Sequence, residues 1–381
     1  AKGAKISLET NVMGIDFDQQ IVTAVKDGKE FQESYDKLIL ATGSHPINPK
    51  LPGADLEGMY FLKLFQDAQK VEEELSNDDV HKVAVLGAGY IGVEFAEAAQ
   101  RRGKEVHLFD AENYPLASYY DEEFGQMMGK NLQDHGIHTH FGELAKEYLG
   151  KDGRVTGIKT DHGEYDVDIV INCIGFAPNA DLGEGHLAKF DNGAYLVDRH
   201  FQTSDPNVYA IGDCANNSSN ALQAPAYSAL ASNAVRSGIV AGHNVGGTDL
   251  EGVGIQGSNG IKIYDLNMVS TGLSEKAAKA AGYKVGVSDF EDTQLLGFMK
   301  EKQPVKIRLV FDTETRCLLG TQMASEYDMS MGIHMFSLAI QEGLTVDRLA
   351  QLDIFFLPHF NQPFNYMTLA ALQVSAKDSE E

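Results

Sequence analysis

Basic residues are scarce in this chain: 31 Lys and Arg stand against 55 Asp and Glu, a net charge of −24 at pH 7 over 381 residues. Nucleic acids and anionic membrane surfaces reward lysine and arginine, so neither is expected as a partner. Cysteine is scarcer still. Cys173, Cys214 and Cys317 are scattered, with no C-x-x-C pair and no metal spacing, which excludes a disulfide framework and fits a reducing cytoplasm. Each is expected to be a small buried hydrophobe or a neutral loop residue. The 12 histidines are dispersed; no zinc-type cluster stands out and no metal is expected. His135, His138 and His140 read as solvated loop. An uninterrupted apolar run of about eighteen residues, as a membrane span needs, is missing. So are the apolar core of a signal peptide at Ala1–Ser7 and any solenoid-type repeat.

What is present is an α/β composition, with 43% apolar residues and 38 glycines, at a length that predicts two or three domains. The most specific stretch is KVAVLGAGYIGVE, Lys82–Glu94. An apolar strand, Val83–Leu86, runs into Gly87-x-Gly89-x-x-Gly92 and on into a helix with Ile91, Phe95 and Ala98 at helical spacing. Gly87 suits the tight turn, Gly89 lets backbone approach a pyrophosphate, and Gly92 lets the helix pack closely on the strand. The pyrophosphate would sit on the free N–H groups at the helix start. The helix is predicted to end near Gly103, and a second strand, Glu105–Phe109, leads to Asp110. There the fingerprint places an acid for a ribose hydroxyl. A 2′-phosphate would be repelled by Asp110, and Ala111-Glu112-Asn113 offers no Arg to hold one. NADH is therefore expected rather than NADPH.

Upstream, strands are predicted at Ile6–Asn11, Gln20–Lys26 and Phe31–Tyr35, with a turn at Asp27-Gly28. A buried strand follows and breaks at Ala41-Thr42-Gly43-Ser44. Pro46, Pro49 and Pro52 make an extended connector, and Leu56–Leu75 is predicted helical. Downstream, Pro206–Asp213 is a second apolar strand, ending on Gly212-Asp213. An alanine-rich helix is predicted over Ala224–His243, stopping at Gly246-Gly247. In the last third, strands Val305–Phe311 and Leu318–Met323 flank a turn at Asp312–Thr315. Helices are predicted around Ile333–Gln341, Val346–Gln351 and Tyr366–Gln373, with the tail Lys377–Glu381 frayed.

Ala41–Ser44 at one strand end and Tyr209–Asp213 before a long helix flank the fingerprint; each alone is ordinary turn chemistry. In this order the three resemble the flavin disulfide reductase superfamily. GYIGVE at Gly89–Glu94, IQGSNG at Ile255–Gly260 and FFLPHFNQPFN at Phe355–Asn365 are similar to its NADH oxidase and NADH peroxidase branch. The resemblance covers essentially the whole chain. It implies an α/β fold in which a Rossmann-like NAD-binding domain is inserted into a truncated FAD-binding domain, followed by an α+β dimerisation domain. Residues 1–52 and 178–251 would belong to the FAD domain, 53–177 to the NAD domain and 252–381 to the dimerisation domain. FAD and NADH are the implied cofactors, a homodimer the implied assembly. The implied reaction is hydride transfer from NADH to flavin with O₂ reduced onward to water. NADH peroxidase acting on peroxide, a coenzyme A-disulfide reductase and an inert NADH-binding fragment are the alternatives.

By the same resemblance Tyr90 shields the flavin and swings aside for NADH, and Glu94 lies near the nicotinamide amide. Asp213 bonds the ribityl chain, and the helix after it aims its positive end at the flavin's pyrimidine edge. Gly175–Asn179 closes the NAD domain, and the Phe355–Phe364 loop reaches toward the partner's flavin. Fingerprint and resemblance together give a cofactor-binding set of Ala41, Thr42, Gly43, Ser44, Gly87, Gly89, Tyr90, Ile91, Gly92, Asp110, Tyr119, Gly175, Gly212, Asp213, Ala229, Leu230, Ala231, Gly260 and Phe356. Tyr90, Glu94 and His359 form the candidate catalytic set. Each has a plainer reading: Tyr90 caps the sheet, Glu94 complements a helix dipole, and His359 is simply packed. The family begins with a Gly-rich unit for the ADP half of FAD and a redox cysteine, which none of the three cysteines here matches. A fragment is expected in preference to a defective enzyme, because a buried strand at Leu38–Leu40 needs sheet neighbours.

Overall fold

A computed structural model describes residues 3–377, so residues 378–381 of the predicted frayed tail lie outside the described residues. The chain forms two compact units: Ala1–His45, Ala177–Ser219 and Gln223–Ile255 in one, Pro46–Phe176, Asn220–Leu222 and Gln256–Glu381 in the other.

In the first unit Thr10–Asp16, Ile21–Lys26 and Lys29–Ser34 form an antiparallel sheet. The strand predicted from Ile6 begins only at Thr10, and Ile6 and Leu8 lie exposed, without the buried face that would hold them in register. The turn falls at Asp27-Gly28, with φ of +50° and +74° as a two-residue hairpin requires. Leu38–Leu40 pairs in parallel with Val208–Ala210, over a core that includes Leu40, Tyr195, Val197, Val208, Ala210 and Cys214. The helix predicted from Ala224 runs instead over Ala231–Val245, ending at Gly246. Ala224–Ala226 is a short strand against Asn217–Ser219; Pro225 disfavours helical backbone at Ala224, so the helix cannot start there.

The second unit is built on a five-stranded parallel sheet in the order Met59–Phe61, Ile169–Asn172, Lys82–Leu86, Glu105–Asp110, His138–Phe141. Met59–Phe61 was expected to be helical. Only Phe65–Leu75 is, because Gly58 at φ +88° turns the chain and the following residues find an open sheet edge. Helix Tyr90–Arg101 lies on one face of the sheet with Gly92, Val93, Ala96 and Ala99 buried. Ile91, Phe95 and Ala98, at helical spacing, are half-buried on its flank. Small residues take the contact line because they let the helix axis come close; Phe95 would hold it off. The second helix on that face is Glu122–Asp134. The opposite face is covered by an antiparallel sheet of Ala145–Lys151, Arg154–Thr160 and Glu164–Asp166.

The same unit continues into a five-stranded antiparallel sheet, in the order Asn259–Ile263, Leu266–Gly272, Leu318–Ser325, Pro304–Asp312, Val285–Thr293. The two strands and the helices predicted here are present, the helices as Ile333–Gln341, Val346–Ala350 and Tyr366–Lys377. Ile261, Ile263 and Met268 join Val93, Phe124 and Met128 in one hydrophobic core, so the parallel and antiparallel sheets are welded together. No helix among the described residues is long and apolar enough to cross a membrane.

Candidate functional site

In the second unit, the strand order reverses between Lys82–Leu86 and Ile169–Asn172. A parallel α/β sheet opens its binding crevice at such a reversal, outside the carboxyl ends of the strands. Gly87 follows one strand end there and Cys173 the other. Gly87 has φ +98°, and a Cβ on it would lie 2.5 Å from the Cys173 carbonyl oxygen. A Cβ on Gly92 would lie 1.8 Å from the Gly87 carbonyl oxygen. Both positions are closed by backbone. At Gly89, in contrast, nothing lies within 4 Å of an added Cβ, and the helix that Gly89 starts has no side-chain cap. Open space over uncapped N–H groups, Ile91 and Gly92 among their carriers, is what a pyrophosphate requires.

Asp110 closes the crevice on its far side. Its Oδ2 accepts the Ala88 N–H at 2.5 Å and its Oδ1 accepts the Glu112 N–H at 2.8 Å. The carboxylate is thereby pinned to the glycine turn, with lone pairs left for a ribose. On the other side Gly175, at φ +113°, passes its carbonyl to the Ile47 N–H at 3.0 Å.

Tyr90 and Tyr119, both in the predicted set, meet edge to face with ring centroids 4.6 Å apart. The Tyr90 hydroxyl is bonded to Asn259 and lies 3.3 Å from the Tyr120 hydroxyl. Burial, with Tyr120 beside it, pushes the Tyr90 phenol well above its ordinary range. Asn259 lies in the stretch Ile255–Gly260, and its neighbour Gly260 lies in the strand paired with Val269. Glu94 is exposed and lies just past the first turn of the helix, as its fifth residue. Partial desolvation and nearby Glu97 raise its carboxyl above the ordinary value. His359 and Phe356 lie on an exposed apolar loop with Phe355, Leu357, Phe360 and Phe364. The structure does not bring them to the crevice residues just described.

The first unit gathers the remaining predicted residues. Asn179 donates its N–H to the Gly43 carbonyl at 2.9 Å, and the Thr42 hydroxyl bonds the Asn179 carbonyl. Ser44 donates to Asp213 Oδ2 at 2.9 Å, which joins the two turn motifs, Ala41–Ser44 and Gly212-Asp213. Gly212 has φ +69° and donates its N–H to Ser237 at 3.1 Å. The Tyr227 hydroxyl donates to the Asp213 carbonyl at 2.8 Å. Tyr227 and Ser237 escaped the sequence reading, since neither lies in a recognisable turn. Ala229 and Leu230 precede the helix, which starts at Ala231 without a side-chain cap. An acidic side chain oriented by a hydroxyl, beside an open helix start, suits a polyhydroxyl chain and an electron-rich ring.

The cysteines contribute no nucleophile to either set. Burial pushes the Cys173 thiol up to about 12, Cys214 is buried against the Leu40 and Ile211 carbonyls, and all three are free. His138 and His140 are not solvated loop as expected: they form a strand of the parallel sheet. His135 ends helix Glu122–Asp134 and stacks on Tyr264 at 3.5 Å.

Residues 1–238 match the family described as pyridine nucleotide-disulphide oxidoreductase, and residues 259–368 match that family's dimerisation domain. The chain is 59% identical to an NADH oxidase of Lactococcus lactis subsp. cremoris, over 98% of this chain and 84% of that protein. Identity to an NADH oxidase of Streptococcus pyogenes is 54%, over 99% and 84%. The water-forming NADH oxidase from Lactobacillus brevis, solved bound to NADH, superimposes with a TM-score of 0.94 at 38% identity, covering 97% of this chain and 82% of that one. This chain belongs to the pyridine nucleotide-disulphide oxidoreductase family.

Proposed function

We propose that the chain is an FAD-dependent NADH oxidase that delivers electrons from NADH to O₂ and releases water, working in the cytoplasm as a homodimer. The observation that carries this reading is the crevice at the strand reversal, open at Gly89, closed by backbone at Gly87 and Gly92, and flanked by Asp110. The oxidases similar to this chain over nearly all its length point the same way. Bound FAD supplies a hydride acceptor and the route to oxygen.

Every other part of the task falls to the chain's own groups. Residues 53–177 bind the nicotinamide nucleotide: the start of helix Tyr90–Arg101 holds the pyrophosphate and Asp110 takes the adenosine ribose. Residues 1–52 and 178–251 hold FAD: Ser44 fixes Asp213 for the ribityl hydroxyls, and N–H groups at Ala229–Ala231 favour negative charge on the reduced ring. Tyr90 guards the nicotinamide position, with Tyr119 beside it, and must leave Asn259 to admit the dinucleotide. Glu94, with its raised carboxyl, faces the amide. Residues 252–381 dimerise, and the loop bearing Phe356 and His359 covers the partner's flavin.

Oxygen and NADH consumption, measured together with peroxide on FAD-loaded protein, test the reading. About one O₂ per two NADH without released peroxide is expected for water formation. Equimolar consumption with peroxide accumulating, or NADH oxidation that depends on added peroxide, would replace it with a peroxide-forming oxidase or a peroxidase.

A further inference from the structure

We propose that the outer edge of the parallel sheet carries a site for a late first-row divalent cation, with zinc as the type, held by Glu105, His107 and His138. The register sets His107 directly beside His138 on adjacent parallel strands. Glu105 lies two residues before His107 and therefore projects from the same face. One ligand atom from each of the three lies within 4.8 Å of the others. His107 Nε2 is 3.0 Å from Glu105 Oε1, and the His107 and His138 rings stack with centroids 4.8 Å apart. Two imidazoles and a carboxylate are a donor set that zinc accepts, with water completing the shell.

Donor atoms around a tetrahedral zinc stand about 3.4 Å apart, so this set must tighten by about an ångström. Glu105 and His138 can do so because both are solvent-exposed. The salt bridge from Lys82 Nζ to Glu105 Oε1, at 3.7 Å between two solvent-exposed side chains, is a weak competitor.

His107 is the fixed member, and what fixes it is the second observation. Its Nδ1 faces His140 Nε2 at 3.1 Å. His140 Nδ1 in turn faces Glu143 Oε2 at 3.5 Å. Glu143 is buried and accepts the Thr160 hydroxyl at 2.5 Å. A histidine whose second nitrogen leads through a relay to a buried carboxylate has the outer support that metal-ligating histidines have.

The site braces the last two strands of the nucleotide-binding sheet and is separate from the glycine turn. FAD-loaded protein, stripped with a chelator, is dialysed against Zn²⁺ or Co²⁺ and then against metal-free buffer. Metal per chain, the Co²⁺ absorption spectrum and thermal melting are recorded. About one retained equivalent, a tetrahedral-type Co²⁺ spectrum and a melting temperature raised by several degrees are expected. His138→Gln, at an exposed position, should lose all three while folding normally. His45→Gln, outside the cluster, should keep them. Failure of the unaltered chain to retain an equivalent, or undiminished retention by His138→Gln, overturns the proposal.

Discussion

At the scale of single residues, cofactor choice turns on Asp110. Its carboxylate is held by two backbone N–H groups, at 2.5 and 2.8 Å, so its position does not depend on the ligand. A hydrogen bond to a charged acceptor is worth about 1.5–3 kcal/mol, or roughly ten- to a hundredfold in affinity. Asp110→Ala should therefore raise the NADH Michaelis constant by about that factor while kcat at saturation changes little; a constant that stays put removes the ribose role. Asp110 was legible because the fingerprint fixes its spacing from the glycines by backbone geometry alone. Asn259, Tyr227 and Ser237 were not. Each acts through one side-chain atom on a residue remote in sequence or across a turn, and no local pattern marks such a partner. The histidines show the same limit: His107 lies about thirty residues from His138 and His140, and only the strand register unites them.

At the scale of elements, the strand–turn–helix around Gly87–Gly92 was readable because its steric demands leave few residue choices. Its packing role and its binding role can be separated by mutation. An alanine methyl at Gly92 would fall 1.8 Å from the Gly87 carbonyl oxygen, a backbone atom with nowhere to retreat. Gly92→Ala should force the helix off the sheet, cost about 3 kcal/mol or more, and lower the melting temperature by several degrees. Gly89 has φ −74° and empty space around its Cβ position. Gly89→Ala should melt almost normally but bind NADH weakly, because the methyl fills the space the pyrophosphate needs. Equal melting losses in both variants would contradict this division. Elements of three residues, Met59–Phe61 and Ala224–Ala226, were illegible because they are too short for any periodicity and exist only through their sheet partners. Helical spacing of Ile91, Phe95 and Ala98 marks the helix but not the centre of its buried face, where close packing puts Gly92, Val93, Ala96 and Ala99.

At the scale of the whole molecule, a net charge of −24 leaves carboxylates in excess, and one buried arginine gathers several of them. Arg308, buried in the second unit, donates to Glu123 at 2.8 Å twice and to Asp289 at 2.7 and 2.8 Å, with Asp121 at 3.6 Å and Glu275 at 3.7 Å. Nothing in the sequence singled it out, because its partners come from separate elements. Bonding to Arg308 holds the Glu123 carboxyl below its ordinary value of 4.5, against the opposing effect of burial. A depressed carboxyl stabilises the fold fully above the unfolded value and loses that contribution as pH falls through the folded one. Glu123→Gln removes the contribution. The side chain is 49% exposed, so the effect at pH 7 should be modest, about 1 kcal/mol. Overall self-repulsion changes almost equally in both proteins on acidification and cancels from the comparison. Melting temperatures of the two should therefore differ by a constant amount from pH 7 down to about 5 and converge below 4.5. A gap that persists unchanged to pH 3 would show that the charge on Glu123 is not what ties this helix to the antiparallel sheet.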